Sequence, residues 1–275
     1  FNGDSCRACH RDPETGGAGG LELNVSRFGS ESGGVFTDLP GGQAASKLRP
    51  PHVSLREEVP AFANVFEQRQ TPSLFGAGLI DTIPASAILA NEDPTDADGD
   101  GIRGVARRLT INGTIEIGRF GWKAQVPTLF DFVRDATFGE LGLTTSDDGR
   151  GFGARIDDDT VADPELDDTA VADFAFFMAA LNPPARTTQI DPAVARGQQV
   201  FTSFGCAKCH IPSLPGRDGP VLLHSDLLLH NVMPAGFRGM SEPGAGMGVY
   251  RTPPLFRVGQ TAPYMHDGRA ENLGA

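Results

Sequence analysis

Apolar positions recur at helical spacing in three stretches of the chain. Within residues 169–181, Val171, Phe174, Phe177, Met178 and Leu181 fall on one face and Asn182-Pro183-Pro184 stops the run, so a helix is predicted there. Val194, Val200, Phe201 and Phe204 make a second stripe, preceded by Asp191-Pro192, an N-cap followed by proline at the first helical position. Pro127 opens a third helix, with Leu129, Phe130 and Val133 on one side and an end near Gly139. A short helix is expected after Pro84, inside the apolar, punctuated stretch 71–91, which reads as core lining. Strict alternation flanks Asn112-Gly113, the favoured pair of a type I′ turn, so residues 107–118 are predicted to form a β-hairpin, the only well-formed sheet expected.

Composition turns this sparse pattern into a loop-rich fold. With 35 Gly and 21 Pro in 275 residues, much of the chain must be ordered loop. Residues 12–43 carry Gly16-Gly17-Ala18-Gly19-Gly20, Gly33-Gly34 and Gly41-Gly42, and are expected to form a long surface loop. The acidic run 147–168 reads as a solvated loop. The predicted class is mainly α, with long Gly/Pro-rich loops and a small hairpin. A boundary within 183–189 divides the chain into domains 1–184 and 185–275.

A formal charge of -12 argues against nucleic acid as a partner. It suits a basic electron carrier, and equally serves solubility. No apolar run has the length of a membrane span.

The chemistry is concentrated in two short motifs. Cys206-Ala-Lys-Cys209-His210 follows the second helical stripe, and Cys6-Arg-Ala-Cys9-His10 opens the chain. In one helical turn the two sulfurs of each motif share a side and can form thioethers to the vinyl groups of one haem, with the adjacent imidazole placed to bind iron. A Cys-x-x-Cys pair can also be half a zinc site, a redox dithiol or a disulfide. All four cysteines sit in such pairs and both pairs are followed by His, a coincidence that two covalent c-type haems explain and zinc, the main alternative, does not require. Haem c is attached outside the cytoplasm, which points to an exported, periplasmic protein. A lead-in helix matching the stripe that runs from Val194 to Phe204 is expected upstream of Phe1.

Further candidate ligands are scattered. Asp96, Asp98 and Asp100 alternate ahead of Gly101 as hard oxygen donors suited to Ca²⁺, although Arg107 stands where an EF-hand closes with Glu; a solvated acidic turn is the alternative. His52 is a candidate sixth ligand for the first haem, and His224, His230, Met233, Met240, Met247, Met265 and His266 could each reach iron in principle. Trp122 is either core or an electron relay between haems.

Several motifs extend along the chain: Pro72-Ser-Leu-Phe-Gly-Ala-Gly-Leu-Ile, Asp98-Gly-Asp-Gly-Ile, Gly118-Arg-Phe-Gly-Trp-Lys-Ala, Ser225-Asp-Leu-Leu-Leu-His230, Arg251-Thr-Pro-Pro-Leu-Phe and His266-Asp-Gly-Arg-Ala. With the two haem motifs they resemble the bacterial di-haem oxidoreductases often labelled thiol oxidoreductases, and more distantly the di-haem cytochrome c peroxidases, whose kinship is carried by residues 261–268. The resemblance implies two cytochrome c-like domains, a reaction centre at the N-terminal haem and electron transfer through the C-terminal one. Trp122 would match the tryptophan between the haems, and Glu140 the distal carboxylate that moves a proton between peroxide oxygens. Thr261 and Pro263 would lend backbone carbonyls to a calcium between the haems. The peroxidases' distal Gln is replaced by Phe132 or Asp131, and the chain ends before the usual sixth ligand of the second haem.

The function expected is therefore peroxide reduction fed by a small cytochrome or cupredoxin. A pure electron carrier, or an oxygenase or protein-modifying enzyme of the same superfamily, are the alternatives. A thiol oxidoreductase activity finds no residues, because haem attachment consumes every cysteine.

Overall fold

The computed structural model describes residues 2–33, 35–37, 44–45, 61–146, 160–185 and 191–274. Its first sheet is built where a loop was expected. Strand β1 (Val25–Ser32) pairs antiparallel with β2 (Val35–Thr37), β3 (Ala44–Ala45) and β4 (Val65–Arg69), the last in the register Val25↔Arg69 to Gly29↔Val65. The glycines masked the strand because they cluster on either side of it, and only Val25-Ser-Arg-Phe28 carries β-type residues. In β4, Val65, Glu67 and Arg69 are buried while Phe66 and Gln68 face out, so the inward face is charged.

The expected hairpin is present as β5 (Arg108–Ile111) and β6 (Thr114–Ile117) around Asn112 at φ 49 and Gly113 at φ 77, the left-handed pair a type I′ turn needs. It is one of four small antiparallel sheets among the described residues. Leu214–Gly216 (β7) pairs with Gly219–Val221 (β8), and Leu229–Asn231 (β9) with Val249–Arg251 (β10).

Among the described residues only 26% are helical, against 20% in strands, so the molecule is not mainly α. The reason lies in length. Gly and Pro keep α2 (Ala77–Asp81) and α3 (Ala85–Leu89) to one turn and a fraction, after a single turn α1 (Cys6–Cys9). Three helices are longer. α4 (Leu129–Ala136) is capped by Thr128, whose side chain accepts from Asp131 N, and runs into a π-turn Thr137–Leu141. α5 (Asp168–Ala179) is capped by Asp167 and α6 (Pro192–Ser203) by Asp191, the latter as its sequence predicts.

The core draws on both sides of the expected domain boundary. Ile80, Ile88, Phe120, Val133 and Val171 pack with Leu214, Leu223 and Leu227 in one buried cluster. Residues 186–190, with His52 and 147–159, lie outside the described residues. The stripes on α5 and α6 are only partly covered by polypeptide. Val171 and Met178 are buried, but Phe174, Phe177, Val194, Val200 and Phe204 are exposed.

One close approach ties the hairpin to the turn after it. Gly118 lies so near Ala124 that a Cβ at 118 would overlap the Ala124 carbonyl oxygen.

Candidate functional site

The two Cys-x-x-Cys-His motifs adopt the same closure from different starts. α1 is a helical turn and the second copy is a 3₁₀ turn, Cys206–Lys208, entered from α6 through Gly205 at φ 80. In each, the histidine N–H donates to the carbonyl of the first cysteine at 2.9 Å, His10 to Cys6 and His210 to Cys206. All four thiols are free of disulfides.

Each histidine is then oriented by a carbonyl from a distant segment. His10 Nδ1 lies 2.9 Å from Pro72 O, and His210 Nδ1 lies 2.8 Å from His224 O. A carbonyl can only accept, so Nδ1 carries the hydrogen and Nε2 keeps its lone pair for a metal. Burial pushes the His10 pKa down to about 4 and lowers that of His210, so both rings are neutral at ordinary pH.

This donor set fits haem c: in each motif two thiols on one turn stand beside one neutral, oriented imidazole. The apolar surface fits as well. Phe204, two residues before Cys206, is 81% exposed, and Phe201 meets the His210 ring edge-on at 6.3 Å.

Residues 63–275 match the protein family described as "Di-haem oxidoreductase, putative peroxidase". The chain belongs to the di-haem oxidoreductases. No curated protein matches it in sequence. The matched span holds the second motif, while Cys6, Cys9 and His10 precede it and rest on their own geometry.

The histidines of this di-haem oxidoreductase are joined by a continuous covalent and hydrogen-bonded path. From Pro72 the backbone runs to Gln70, whose carbonyl accepts Trp122 Nε1 at 2.9 Å. Trp122 O accepts Arg251 N at 2.8 Å, and the neighbouring Thr252 O accepts Ser225 Oγ at 2.7 Å, one residue from His224. Trp122 is half-buried on this path.

Glu140 sits in the π-turn beside the first motif. Its Oε2 accepts Asn2 Nδ2 at 2.6 Å and its carbonyl accepts the N–H groups of Asn2 and Gly3. The two residues expected in place of a distal Gln have protein partners: Asp131 bonds Thr128 at the start of α4, and Phe132 packs on Phe120 at 5.9 Å.

Several candidate ligands are otherwise occupied. Both ring nitrogens of His230 are engaged by protein acceptors, Met240 is fully buried, and His266 stacks on Tyr250 with ring centroids 4.0 Å apart. His266 belongs to a buried polar cluster that the sequence did not reveal. Tyr250 donates to Glu67 Oε1 at 2.8 Å, Arg69 pairs with the same oxygen at 2.6 Å, and Lys123 lies 4.3 Å above the Tyr250 ring.

The acidic loop is rearranged from its expected form. Asp93, Asp96 and Asp98 bring carboxylate oxygens within 4.8 Å of one another, whereas Asp100 turns to Lys208 of the second haem motif at 3.2 Å. Asp93 was missed because it lies outside the alternating run. Thr261 follows the 3₁₀ turn Val258–Gln260, and Pro263 forms a cis peptide with Ala262.

Proposed function

We propose that this di-haem oxidoreductase is a peroxidase-like enzyme that reduces peroxide at the N-terminal motif, with electrons passed through the C-terminal motif from a small donor protein. The overall change consumes two electrons and two protons per hydrogen peroxide and yields two waters. The observation that carries the reading is the clasp between Glu140 and residues 2 and 3, which ties this carboxylate to the segment leading into Cys6, Cys9 and His10.

Haem, when bound, supplies an iron able to exchange electrons with an O–O bond. The protein does the rest. His10 would hold the iron through Nε2, its other nitrogen fixed by Pro72. Glu140 moves a proton from one peroxide oxygen to the other, general acid–base work for a carboxylate. Trp122, on the path between the histidines, relays electrons from the second motif to the first. The net charge of -12 supports a basic cytochrome or cupredoxin as donor, and two haem c attachments support a periplasmic location. Calcium, in this reading, belongs to Asp93, Asp96 and Asp98.

The test is peroxide consumption by holoenzyme with a reduced small cytochrome, alongside the spin state of the oxidised protein. Turnover with one high-spin haem supports the proposal. Two low-spin haems that stay low-spin after one-electron reduction, without turnover, overturn it in favour of an electron carrier.

A further inference from the structure

The segment Ser225-Asp-Leu-Leu-Leu-His230 meets the path between the histidines only through Ser225, yet all of it is buried and it wraps the second haem motif. Asp226 N donates to Cys209 O at 2.9 Å, and His224 O accepts from His210 Nδ1. Leu227 within it at φ 60, and His224 just before it at φ 49, hold left-handed backbone, a conformation that side chains of their size adopt only under constraint. The constraint is visible. Ser225 Oγ donates to Thr252 O and accepts Leu227 N at 2.9 Å, and Asp226 Oδ1 accepts Leu228 N at 2.9 Å.

The other end of the segment is electrostatic. His230 Nε2 lies 2.9 Å from Asp226 Oδ2 and Nδ1 lies 3.0 Å from Arg103 O. A ring that donates to acceptors from both nitrogens is an imidazolium, and it cannot also bind iron. Its Nδ1 is 3.9 Å from Cys209 Sγ, the atom that carries the haem thioether. Burial opposes the charge, but the Asp226 carboxylate and the Cys209 sulfur outweigh it and push the His230 pKa up to about 10. The Asp226 contribution persists when the sulfur is a thioether. Arg251 is the other cation facing Asp226.

We infer that Asp226 and His230 are positioning residues for the second haem, an ion pair that fixes Cys209 and His210 and sets a cation against the edge of the macrocycle. The inference rests on the two-haem reading above. Its consequence is a reduction potential. A cation at the ring edge favours the electron-rich ferrous state, so the pair raises the potential of the second haem and leaves the first unaffected.

Spectroelectrochemical titration of holoenzyme tests this. Two covalent haems per chain in the wild type are the control: fewer would overturn the two-haem reading, whatever the variants do. Given two haems, His230→Gln should lower the potential of the second haem, Asp226→Asn should lower it less because carboxylate and cation are lost together, and His230→Arg should hold it near wild type. A purely structural role predicts that Asn, which still accepts the Leu228 N–H, restores the wild-type potential. Unchanged potentials in both His230→Gln and Asp226→Asn, or an equal drop in His230→Arg and His230→Gln, would overturn the inference. If Asp226→Asn fails to retain the second haem, the two His230 variants carry the test, since the Asp226 contacts to Cys209 and Leu228 remain in them.

Discussion

The side-chain amide of Asn2 donates to Glu140 Oε2 at 2.6 Å, so the first residues of the chain and the π-turn after α4 hold each other. One carboxylate oxygen is occupied by this bond, which orients the other. Glu140→Gln keeps an acceptor for Asn2 but cannot shuttle a proton. Peroxide turnover should fall by about 10² to 10⁴-fold, the usual worth of a positioned acid–base group, with haem content unchanged. Stopped-flow oxidation of a reduced donor, paired with a haemochrome assay, reads both quantities.

Lys123 is completely buried, and its ammonium donates to Gly246 O at 2.9 Å and Val249 O at 2.8 Å. Lys123→Met fills the same space with no donor, leaving two carbonyls unpaired. A loss of about 2 to 4 kcal/mol is expected in chemical denaturation, from the usual cost of an orphaned buried acceptor.

His266 gives a pH signature. Burial pushes its pKa down to about 4, against the pull of Glu67 and Asp267, so the folded protein keeps the ring neutral while the unfolded chain titrates near the ordinary value of about 6.5. A depressed pKa gives stability that is complete above about 6.5 and is lost as pH falls from there to about 4. His266→Phe retains the stacking on Tyr250 and removes the titration. Its unfolding free energy should therefore lose about 1.4 kcal/mol per pH unit of slope within that window.

Calcium should raise the unfolding midpoint of holoenzyme. Asp93→Ala and Asp98→Ala should abolish the rise, while Asp100→Asn, whose carboxylate turns to Lys208 instead, should keep it. Thermal scans with and without chelator decide this. A rise that survives in Asp93→Ala and vanishes in Asp100→Asn would return the site to the alternating run.

The haem motifs, the Asn112-Gly113 hairpin and the Asp191 cap were legible because each depends on neighbours in sequence. The first sheet was not. Its β1 and β4 strands meet across more than thirty intervening residues, and β4 buries Glu67 and Arg69, inverting the pattern that marks a strand against a core. That inversion makes sense only once Lys123 arrives from mid-chain and Tyr250 and His266 from the far end to face those charges. The helical stripes were legible in position but not in burial: periodicity located α5 and α6, whereas Phe174, Phe177 and Phe204 on them are left uncovered by polypeptide. For the site, Asp226 and His230 stand at i, i+4 in a motif that was visible, yet nothing local said that His230 would spend both nitrogens.

Gly118 touches no haem motif, yet it decides where the indole of Trp122 can rest. Any side chain there would wedge the hairpin away from the Ala124 carbonyl and pull the ring off Gln70. With Trp122 as the relay proposed above, a substitution chosen as harmless on a β-ribbon would surface in the laboratory as sluggish electron exchange, with both iron sites spectroscopically intact.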